Sequence, residues 1–575
     1  MPCRLRGELL MARVAIVGAG QSGAQLALGL LHAGHEVTLV SDRSPQEIRS
    51  GSVLSSQCMF ESALATEHEL GIDQWAAECP DIGAVAITVG GDAPRTWSAP
   101  LSAPAQAVDQ RLKCAAWAEQ VEELGGTLVV RLAEVADLEE YARTHDLVVI
   151  ATGRGDIGRL FPPNHELSPF DRPQRELALT YVTGMSPRPD GPAISFTLVP
   201  NVGECATLPA LTVGGPCDII VFGGMPGGPM DCWDDVADAD QHLERSLELL
   251  AKFAPAEFDR CADVSLTDPG GVLRSRFTPQ VRMPVATLPS GRPVLGIGDA
   301  VVLNDPLTAQ GANLAAHAAT YYLDSINRNV NGSFDAAWMR HTFEKFWRGW
   351  AKWAVDWTNS FLLGPSEHQM ELLAEAADNT ELATEIADGF DDPRQFFQWW
   401  FDAEAATRFR AEKRAARSGR FDPRDLRRAL GQYATGVAVV TARGADGRRV
   451  GMTANSFTSV SMNPPLVLWC PSRNAASLPT FTEATHFAVN VLGADHEHLS
   501  RQFSTPATDK FAALELVEGK GGTPVLSGAL ARFECRTVKC FEAGDHLVVL
   551  GEIEDYDAPG GSPLMFHNGT LRAGW

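Results

Sequence analysis

Three glycines near the start of the chain have the spacing of a dinucleotide-binding turn. They are Gly18, Gly20 and Gly23, and they directly follow the apolar run 14–17. In such a turn the first glycine allows a tight bend, the second lets backbone approach a pyrophosphate, and the third lets the next helix pack closely. The helix N-terminus then offers N–H groups and partial positive charge to the phosphates. The spacing predicts a site for FAD or NAD, which the glycines alone do not distinguish.

The elements around these glycines fit the same interpretation. Residues 14–17 predict a buried parallel strand, 25–32 a helix and 36–40 a second strand. Together they form the β–α–β unit in which such a turn binds a dinucleotide. An acidic residue after the second strand binds a ribose hydroxyl in these units. Asp42 is the candidate, about one residue later than usual, and the alternative is a solvated loop aspartate.

Three later segments continue the pattern of a flavin-binding fold. A glycine ends a buried strand, an aspartate follows another strand, and a short turn opens an apolar helical stretch. The candidate residues are Gly153, Asp299 and the turn residues Gln310, Gly311, Ala312 and Asn313. We expect the first beside an adenosine, the second to accept hydrogen bonds from ribityl hydroxyls, and the turn near a flavin ring. Each could be an ordinary turn, but their order favours a flavin site.

A second run of small polar residues lies far along the chain, at 451–461. Thr453, Asn455 and Ser456 supply adjacent hydroxyl, amide and backbone N–H groups, which can hold a flavin edge or a phosphate without a helix. Ser477 follows the next predicted strand and could bind ribityl or phosphate oxygens. This run therefore predicts a second cofactor site.

The residues between these motifs divide by composition into three regions. Short apolar runs between about 170 and 280, such as 193–199 and 217–222, predict a β-sheet that walls a substrate pocket. Trp and Phe recur at helical spacing over about 335–404, which is more typical of a helical core than of a cofactor site. Residues 405–420 are rich in Arg and predict a solvated helical linker. The alternative is a surface that steers an anionic flavin phosphate.

The changes in composition along the chain predict the domain bounds. The first domain is 12–404, the basic linker is 405–420, and the second domain is 421–575. Strands such as 436–441 and 466–469, separated by turn signals, predict a closed barrel in the second domain. The predicted fold class is therefore α/β followed by β.

Composition restricts the class of partner. The chain has 575 residues, with 48 Lys and Arg against 72 Asp and Glu, a net charge of -24. This balance argues against nucleic acid and against an anionic membrane as partners. The 11 cysteines are scattered without a C-x-x-C pair, which indicates reduced thiols in a cytoplasmic enzyme. No apolar run approaches the ~18–20 residues that span a membrane, the start does not predict a signal peptide, and no metal site is predicted.

The motifs of the first domain resemble the FAD-dependent aromatic hydroxylases built like glutathione reductase. More closely, they resemble the epoxidase component of two-component styrene and indole monooxygenases. The segments that carry this resemblance are 107–112, 168–175 and 305–313. The resemblance implies that Arg111, Asp299 and the turn Gln310–Asn313 line an FAD site. The family has an Asn where this chain has Ser56, which leaves flavin positioning and substrate preference open.

Residues from about 421 to 575 resemble the short-chain NAD(P)H:flavin reductases that serve two-component monooxygenases. The segments that carry this resemblance are 451–461, 463–467, 477–479, 487–492 and 544–546. It implies a split barrel in which Thr453, Asn455, Ser456, Ser459, Cys470 and Ser477 bind flavin, with Asp545 also at the cofactor. It also implies that His546 lies near the nicotinamide, where it would orient the dinucleotide or help proton exchange. A homodimer is expected from the resemblance alone.

The two domains together predict a self-sufficient monooxygenase. NADH would reduce FAD in the second domain. The first would use reduced FAD and O2, through a flavin hydroperoxide, to epoxidise styrene or a related aromatic alkene or to oxidise indole. Two alternatives stay open: mainly an NADH:FAD oxidoreductase with weak monooxygenase activity, or a non-catalytic flavin-binding redox module.

Overall fold

The structure is a computed structural model that forms two compact units, Met1–Ser418 and Gly419–Trp575. The described residues are 11–90, 94–153, 155–329, 332–417, 428–444, 447–473, 475, 477–505, 510–511, 514–568 and 570–573. No helix within these ranges combines the length and apolar character needed to cross a membrane. The ten cysteines found there are all free thiols.

The first unit mixes strands and helices along its whole length. Its strands are β1 (Arg13–Val17), β2 (Glu36–Ser41), β3 (Ile82–Val89), β4 (Arg95–Ala105), β5 (Thr127–Val130), β6 (Leu147–Ile150), β7 (Glu176–Thr183), β8 (Ala193–Val199), β9 (Gly203–Thr212), β10 (Gly215–Gly224), β11 (Ser265–Leu266), β12 (Val272–Ser275), β13 (Gln280–Val281), β14 (Val285–Thr287), β15 (Pro293–Gly296) and β16 (Val302–Leu303). Its helices are α1 (Gln21–His32), α2 (Pro45–Arg49), α3 (Glu61–Glu69), α4 (Gln110–Glu123), α5 (Val135–Thr144), α6 (Gly155–Gly158), α7 (Ala239–Phe253), α8 (Pro255–Phe258), α9 (Gly311–Arg328), α10 (Ala336–Phe346), α11 (Lys352–Leu362), α12 (Glu367–Glu375), α13 (Thr380–Asp391) and α14 (Ala403–Arg417).

The dinucleotide motifs lie on a six-stranded sheet with the order β14-β15-β6-β1-β2-β5. Strand β1 pairs in parallel with both β2 and β6, and β15 pairs in parallel with β6. All four residues of β6 are buried, as in a sheet covered on both faces. The predicted β–α–β unit is thus confirmed, and parallel pairing brings the carboxyl ends of these strands to one edge.

The second sheet has eight strands, in the order β11-β7-β10-β9-β8-β3-β4 with β12 beside β7. Strands β7 to β12 fall within the sheet predicted for about 170–280. Strands β3 and β4 were not predicted, because β3 joins by parallel pairing with β8, a hundred residues later in sequence. Such non-local pairing leaves no signal in the local pattern of residues.

The aromatic helices pack as a core, as the sequence predicts. The ring of Trp357 in α11 stacks on Phe396 with centroids 4.4 Å apart, and Trp399 stacks on Phe409 of α14 at 4.5 Å. Helix α14 also forms ion pairs with the helices before it: Arg410 binds Glu371 and Glu375. The described part of the predicted linker is therefore helical, as predicted, and one side of this helix packs on the first unit. Residues 418–427 lie outside the described residues.

The second unit is mainly antiparallel β-structure. Its strands are β17 (Thr435–Gly436), β18 (Ala438–Arg443), β19 (Arg449–Ala454), β20 (Thr458–Met462), β21 (Pro465–Trp469), β22 (His486–Val491), β23 (Leu516–Glu518), β24 (Pro524–Leu526), β25 (Ala531–Ala543), β26 (His546–Asp557), β27 (Leu564–His567) and β28 (Thr570–Ala573). Its helices are α15 (Leu478–Glu483) and α16 (Glu497–Ser504).

Seven of these strands form one sheet with the order β19-β18-β22-β25-β26-β21-β20. The two end strands, β19 and β20, are consecutive in the chain, and only residues 455–457 separate them. Four residue steps span at most about 14 Å, so the sheet must curl until its ends approach each other. The fold is therefore of the split-barrel type, with Asn455 and Ser456 at the place where the barrel closes.

Candidate cofactor sites in the two units

The glycine turn in the first unit has the geometry that its spacing predicts. Gly18 has φ +119°, and a Cβ there would lie 2.9 Å from the Ala151 carbonyl carbon. A Cβ on Gly23 would lie 2.0 Å from the Gly18 oxygen. Around Gly20, by contrast, no described atom lies within 4 Å of the position a Cβ would take. The first and third glycines thus permit close packing, while the second leaves the backbone open to a ligand.

Three strand ends meet beside this turn. The Ala151 N–H donates to Val17 O at 2.8 Å, and the Ile297 N–H donates to Ile150 O at 2.9 Å. A Cβ on Gly153 would lie 2.7 Å from the carbonyl oxygen of Asp299, whose own side chain is exposed. The structure therefore brings Gly18, Gly153 and Asp299 together at the carboxyl edge of the sheet.

Asp42 lies at the same edge, directly after β2. Its side chain is 60% exposed, with one oxygen 3.6 Å from the Nε of Arg43. The Gly18 N–H donates to Val40 O at 2.8 Å, which fixes the end of β2 against the glycine turn. An exposed carboxylate at this position is accessible to a ribose, as its predicted role requires.

The turn from Gln310 to Asn313 uses its amide side chains within the protein. Gln310 is fully buried and its Nε2 donates to Phe390 O at 2.8 Å. Asn313 accepts from the Phe60 N–H and donates to Cys58 O, both at 2.9 Å. At Gly311, no described atom lies within 4 Å of a Cβ position. A cofactor would therefore contact the backbone of Gly311 and Ala312, which are half-buried.

Arg111 lies in a buried network beside the glycine-rich unit. Its guanidinium donates to Asp268 at 2.8 and 2.9 Å, to Asp109 at 2.8 Å and to the carbonyl of Gly51 at 3.1 Å. The Nη2 that donates to Asp268 also donates to the Thr212 hydroxyl at 3.0 Å. Because these donors are engaged, any effect of Arg111 on a cofactor would pass through the segment that it holds at Gly51. Its role at an FAD site stays a prediction.

Two charged groups near this site were not predicted. Arg282 donates to the carbonyl oxygens of Gly153 at 3.3 Å and Ala300 at 3.4 Å. It therefore supports both the turn at Gly153 and the turn that contains Asp299. Burial lowers the pKa of Arg282, with Asp299 acting in the opposite direction. Lys113 forms a buried ion pair with Glu67 at 2.8 Å, and Glu67 also accepts from Gln21 in the first turn of α1. These groups could not be predicted because the sequence around a single charged residue does not indicate which distant residue will be its buried partner.

A second buried cluster joins the eight-stranded sheet to the segment before α9. The Nε of Arg175 donates to both oxygens of Glu204, at 2.9 and 3.1 Å. Burial raises the pKa of Glu204 to about 7, with Arg175 lowering it and Asp305 raising it further. Burial likewise raises the pKa of Asp305 to about 6, against a hydrogen bond from the Leu307 N–H. These carboxyls therefore titrate far above their usual range.

The Glu204 carboxyl predicts a stability that falls as the pH rises. The folded pKa of about 7 lies above the ordinary glutamate pKa of 4.5, so the folded chain holds the proton through this interval. The free energy of unfolding should therefore decrease between about pH 4.5 and pH 7, and Asp305 adds a contribution of the same sign. Urea unfolding at a series of pH values should show this slope, and Glu204→Gln should make it shallower. Equal slopes for both chains would contradict the assignment.

In the second unit, three separate segments meet beside the link between the two end strands. The Cys470 N–H donates to the Ser456 hydroxyl oxygen at 2.9 Å. Ser472 pairs with His546 in an antiparallel bridge, and the Arg473 N–H donates to Asp545 O at 3.0 Å. The predicted residues Ser456, Cys470, Asp545 and His546 are thus neighbours, although most of the second unit separates them in sequence.

The remaining predicted residues of this unit differ in their freedom to bind a ligand. Asn455 is exposed, and Ser477 is half-buried directly before α15. Ser459 is exposed on the end strand β20, opposite Val467. The Thr453 hydroxyl donates to Ser500 O at 2.6 Å, so it fixes α16 to the sheet. Because its hydroxyl proton is already used, Thr453 could contact a flavin only through the lone pairs of its hydroxyl oxygen or through its backbone.

Asp545 and His546 form an exposed pair. The Nδ1 of His546 lies 2.8 Å from the Asp545 carboxylate, and the His546 side chain is 44% exposed. The hydrogen bond with His546 lowers the pKa of Asp545. Burial raises the pKa of the Cys470 thiol, which keeps that group neutral and unreactive. Proton exchange at this site would therefore involve the histidine rather than the cysteine.

Family models match both units and define the class of protein. The flavin reductase like domain model matches residues 430–574. The substrate-binding-domain model of styrene monooxygenase A matches residues 153–260. A model for F420-dependent NADP oxidoreductases matches residues 13–56, the glycine turn and its neighbours. The chain is thus a flavin-dependent oxygenase joined to a flavin reductase.

Curated relatives give the family. Styrene monooxygenase StyA of Pseudomonas fluorescens is 30% identical over 403 residues, which cover 67% of this chain and 94% of that relative. The FMN reductase (NADH) SmoA of Agrobacterium fabrum is 46% identical over 148 residues, covering 26% of this chain and 84% of that relative. A flavin reductase of Pseudomonas putida is 40% identical over 149 residues, covering 26% and 88%. The chain belongs to the styrene monooxygenase family, with a flavin reductase domain fused to it, which confirms the predicted enzyme class.

Proposed function

We propose that this chain is a self-sufficient epoxidase. The second unit would transfer hydride from NADH to FAD, and the first would use the reduced FAD with O2 to oxidise styrene, a related aromatic alkene or indole. The observations that carry this proposal are the open backbone at Gly20 in the first unit and the clustering of Ser456, Cys470 and His546 in the second. The names of the relatives, styrene monooxygenase and FMN reductase (NADH), support the two halves of the reaction.

In the first unit, we assign the chain's own residues to binding and shielding. The Gly20 backbone and the start of α1 would hold a pyrophosphate, Asp42 a ribose, and Asp299 the ribityl hydroxyls. The backbone at Gly311 and Ala312 would face the flavin ring. When bound, the reduced flavin supplies the oxygen chemistry with O2. The two sheets and the position of these sites support a glutathione-reductase-type arrangement.

The substrate pocket is proposed between the eight-stranded sheet and the aromatic helices. Phe196 of β8 stacks on Phe390 of α13 with centroids 5.5 Å apart, and Phe390 lies 4.9 Å from Trp357. The residue Ala309, at the start of the turn before α9, packs against this same apolar cluster. The edge of this packed cluster at Ala309 would give a flat substrate an apolar wall and would exclude the water that favours loss of peroxide.

In the second unit, we propose that Asn455, Ser456, Ser459, Cys470 and Ser477 bind flavin and that Asp545 orients His546 toward the nicotinamide. We also propose that two copies of this unit pair. Large apolar side chains are exposed among the described residues of this unit, and they are Leu430, Tyr433, Val460, Met462, Val517, Val538, Phe541 and Tyr556. Sedimentation of the full chain as a monomer at micromolar concentration would contradict this pairing.

One assay tests the proposed function. The purified chain is supplied with NADH, FAD and styrene, and NADH loss, hydrogen peroxide and styrene oxide are followed together. We expect styrene oxide and peroxide together to account for the NADH consumed. NADH loss with peroxide alone would support the alternative of an NADH:FAD oxidoreductase with weak monooxygenase activity. Bound flavin without NADH loss would instead support the redox module.

A further inference from the structure

Several buried polar atoms in the first unit have no hydrogen-bond partner within the described part of the chain. Gln57 is the clearest example: it is 3% exposed, and neither its Oε1 nor its Nε2 is paired. Ser55 Oγ, two residues earlier, is also buried and unpaired. Buried amides in folded proteins are almost always hydrogen-bonded, because an unpaired one has lost water without replacement. An amide unpaired at both ends therefore points to a ligand.

The chain just after Gln57 is joined to the start of α9 by hydrogen bonds. The next residue, Cys58, accepts a hydrogen bond from Asn313 at 2.9 Å, and Phe60 donates to the same side chain. Gln310, at the start of that turn, is fully buried and its Oε1 is unpaired among the described residues. The two segments that Asn313 joins thus each contain a glutamine with an unpaired amide oxygen, Gln57 in one and Gln310 in the other.

The same segment borders the aromatic helices. The ring of Phe60 lies 5.9 Å from that of Phe390, whose carbonyl accepts from Gln310. Phe390 in turn lies 4.9 Å from Trp357, a buried indole whose Nε1 has no partner among the described residues. Asn304 completes this border: its Nδ2 donates to Thr358 at 3.0 Å, while its Oδ1 is unpaired. An aromatic region is therefore bordered by donors and acceptors that the described protein does not use.

We propose that Gln57 is a specificity-determining residue, which hydrogen-bonds a polar ring atom of the substrate. The substrate class is then a bicyclic arene with a ring N–H or O–H rather than a pure hydrocarbon. This inference rests on the proposed function and narrows its substrate. A hydrocarbon would contact the aromatic side chains but leave the Gln57 amide unpaired, so binding it would recover none of the lost hydrogen bonding. The flavin ring also carries N–H and C=O groups, and the test must separate it from the substrate.

Indole and indene form the matched pair of probes, because indene has a CH2 where indole has the N–H. With the full chain, NADH and FAD, we expect kcat/KM for indole to exceed that for indene. Gln57→Met keeps an unbranched side chain of similar length but removes both polar atoms. It should reduce the indole-to-indene ratio about tenfold, mainly through the indole value. Gln74→Met, at an exposed glutamine, is the control and should leave the ratio unchanged.

Two further measurements distinguish the outcomes. In the absence of ligands, Gln57→Met should melt at the same temperature as the parent chain or higher, because it removes an unpaired buried amide. The affinity of the chain for FAD should not change. An unchanged substrate ratio would overturn the proposal, and a loss of FAD affinity with an unchanged ratio would assign Gln57 to the flavin instead. Styrene is the third substrate: if the parent chain oxidises none of the three, the proposed function itself fails.

Discussion

Gly20→Val should lower epoxide formation about 100-fold while NADH oxidation continues at the parent rate, a loss of about 2.7 kcal/mol in transition-state stabilisation. The reason is steric. No described atom lies within 4 Å of a Cβ at Gly20, so the added side chain fits the protein. It would instead occupy the space where a pyrophosphate approaches the backbone. Steady-state rates of NADH loss and of styrene oxide formation, measured in the same reaction, check both parts.

Gly214→Val is the matched control for this change. Gly214 lies between β9 and β10, and it too has no described atom within 4 Å of a Cβ position. The control should keep full epoxide formation, and both variants should melt near the parent temperature. Parent-like epoxide formation by Gly20→Val would show that the glycine turn does not hold the cofactor used for oxygenation.

His546→Asn should have the opposite effect, lowering NADH-dependent FAD reduction at least about tenfold while the first unit stays competent. The structure orients the imidazole through the 2.8 Å contact of its Nδ1 with Asp545 and leaves the side chain 44% exposed. Asparagine keeps a polar group of smaller size but cannot exchange a proton near neutral pH. Anaerobic stopped-flow measurement of flavin bleaching by NADH reports this step alone.

The first unit of His546→Asn can be tested by adding an independent NADH:flavin reductase. Epoxide formation should then return to the level that the parent chain reaches with the same additive. His498→Asn, an exposed histidine on α16, is the control and should reduce FAD normally. Normal flavin reduction by His546→Asn would remove this residue from the catalytic group.

The dinucleotide turn could be predicted from sequence because its requirements are local. Gly18, Gly20 and Gly23 lie within one turn and its helix, and each has a separate steric reason to lack a side chain. The cluster in the second unit was predicted through resemblance, and its assembly follows from strand pairing between Ser472 and His546. In both places, a short motif and its flanking strands contain most of the information.

The features that sequence did not predict depend on distant partners. The Gln310 amide nitrogen and the Asn313 amide bind backbone groups of Phe390, Cys58 and Phe60, which are distant in sequence. The Arg175 and Glu204 pair requires the antiparallel sheet to be formed first, as does the pairing of β3 with β8. Buried ion pairs and unpaired amides such as Gln57 become visible only when tertiary packing has removed water from them.

The central claim is that electrons enter through one unit and oxygen is transferred in the other, with FAD moving between them. Mixing two full-length chains, Gly20→Val and His546→Asn, in the presence of free FAD, NADH and styrene tests this claim most directly. The first chain should reduce FAD and the second should oxygenate styrene, so the mixture should form styrene oxide several times faster than the sum of the two chains alone. A rate equal to that sum would contradict the account.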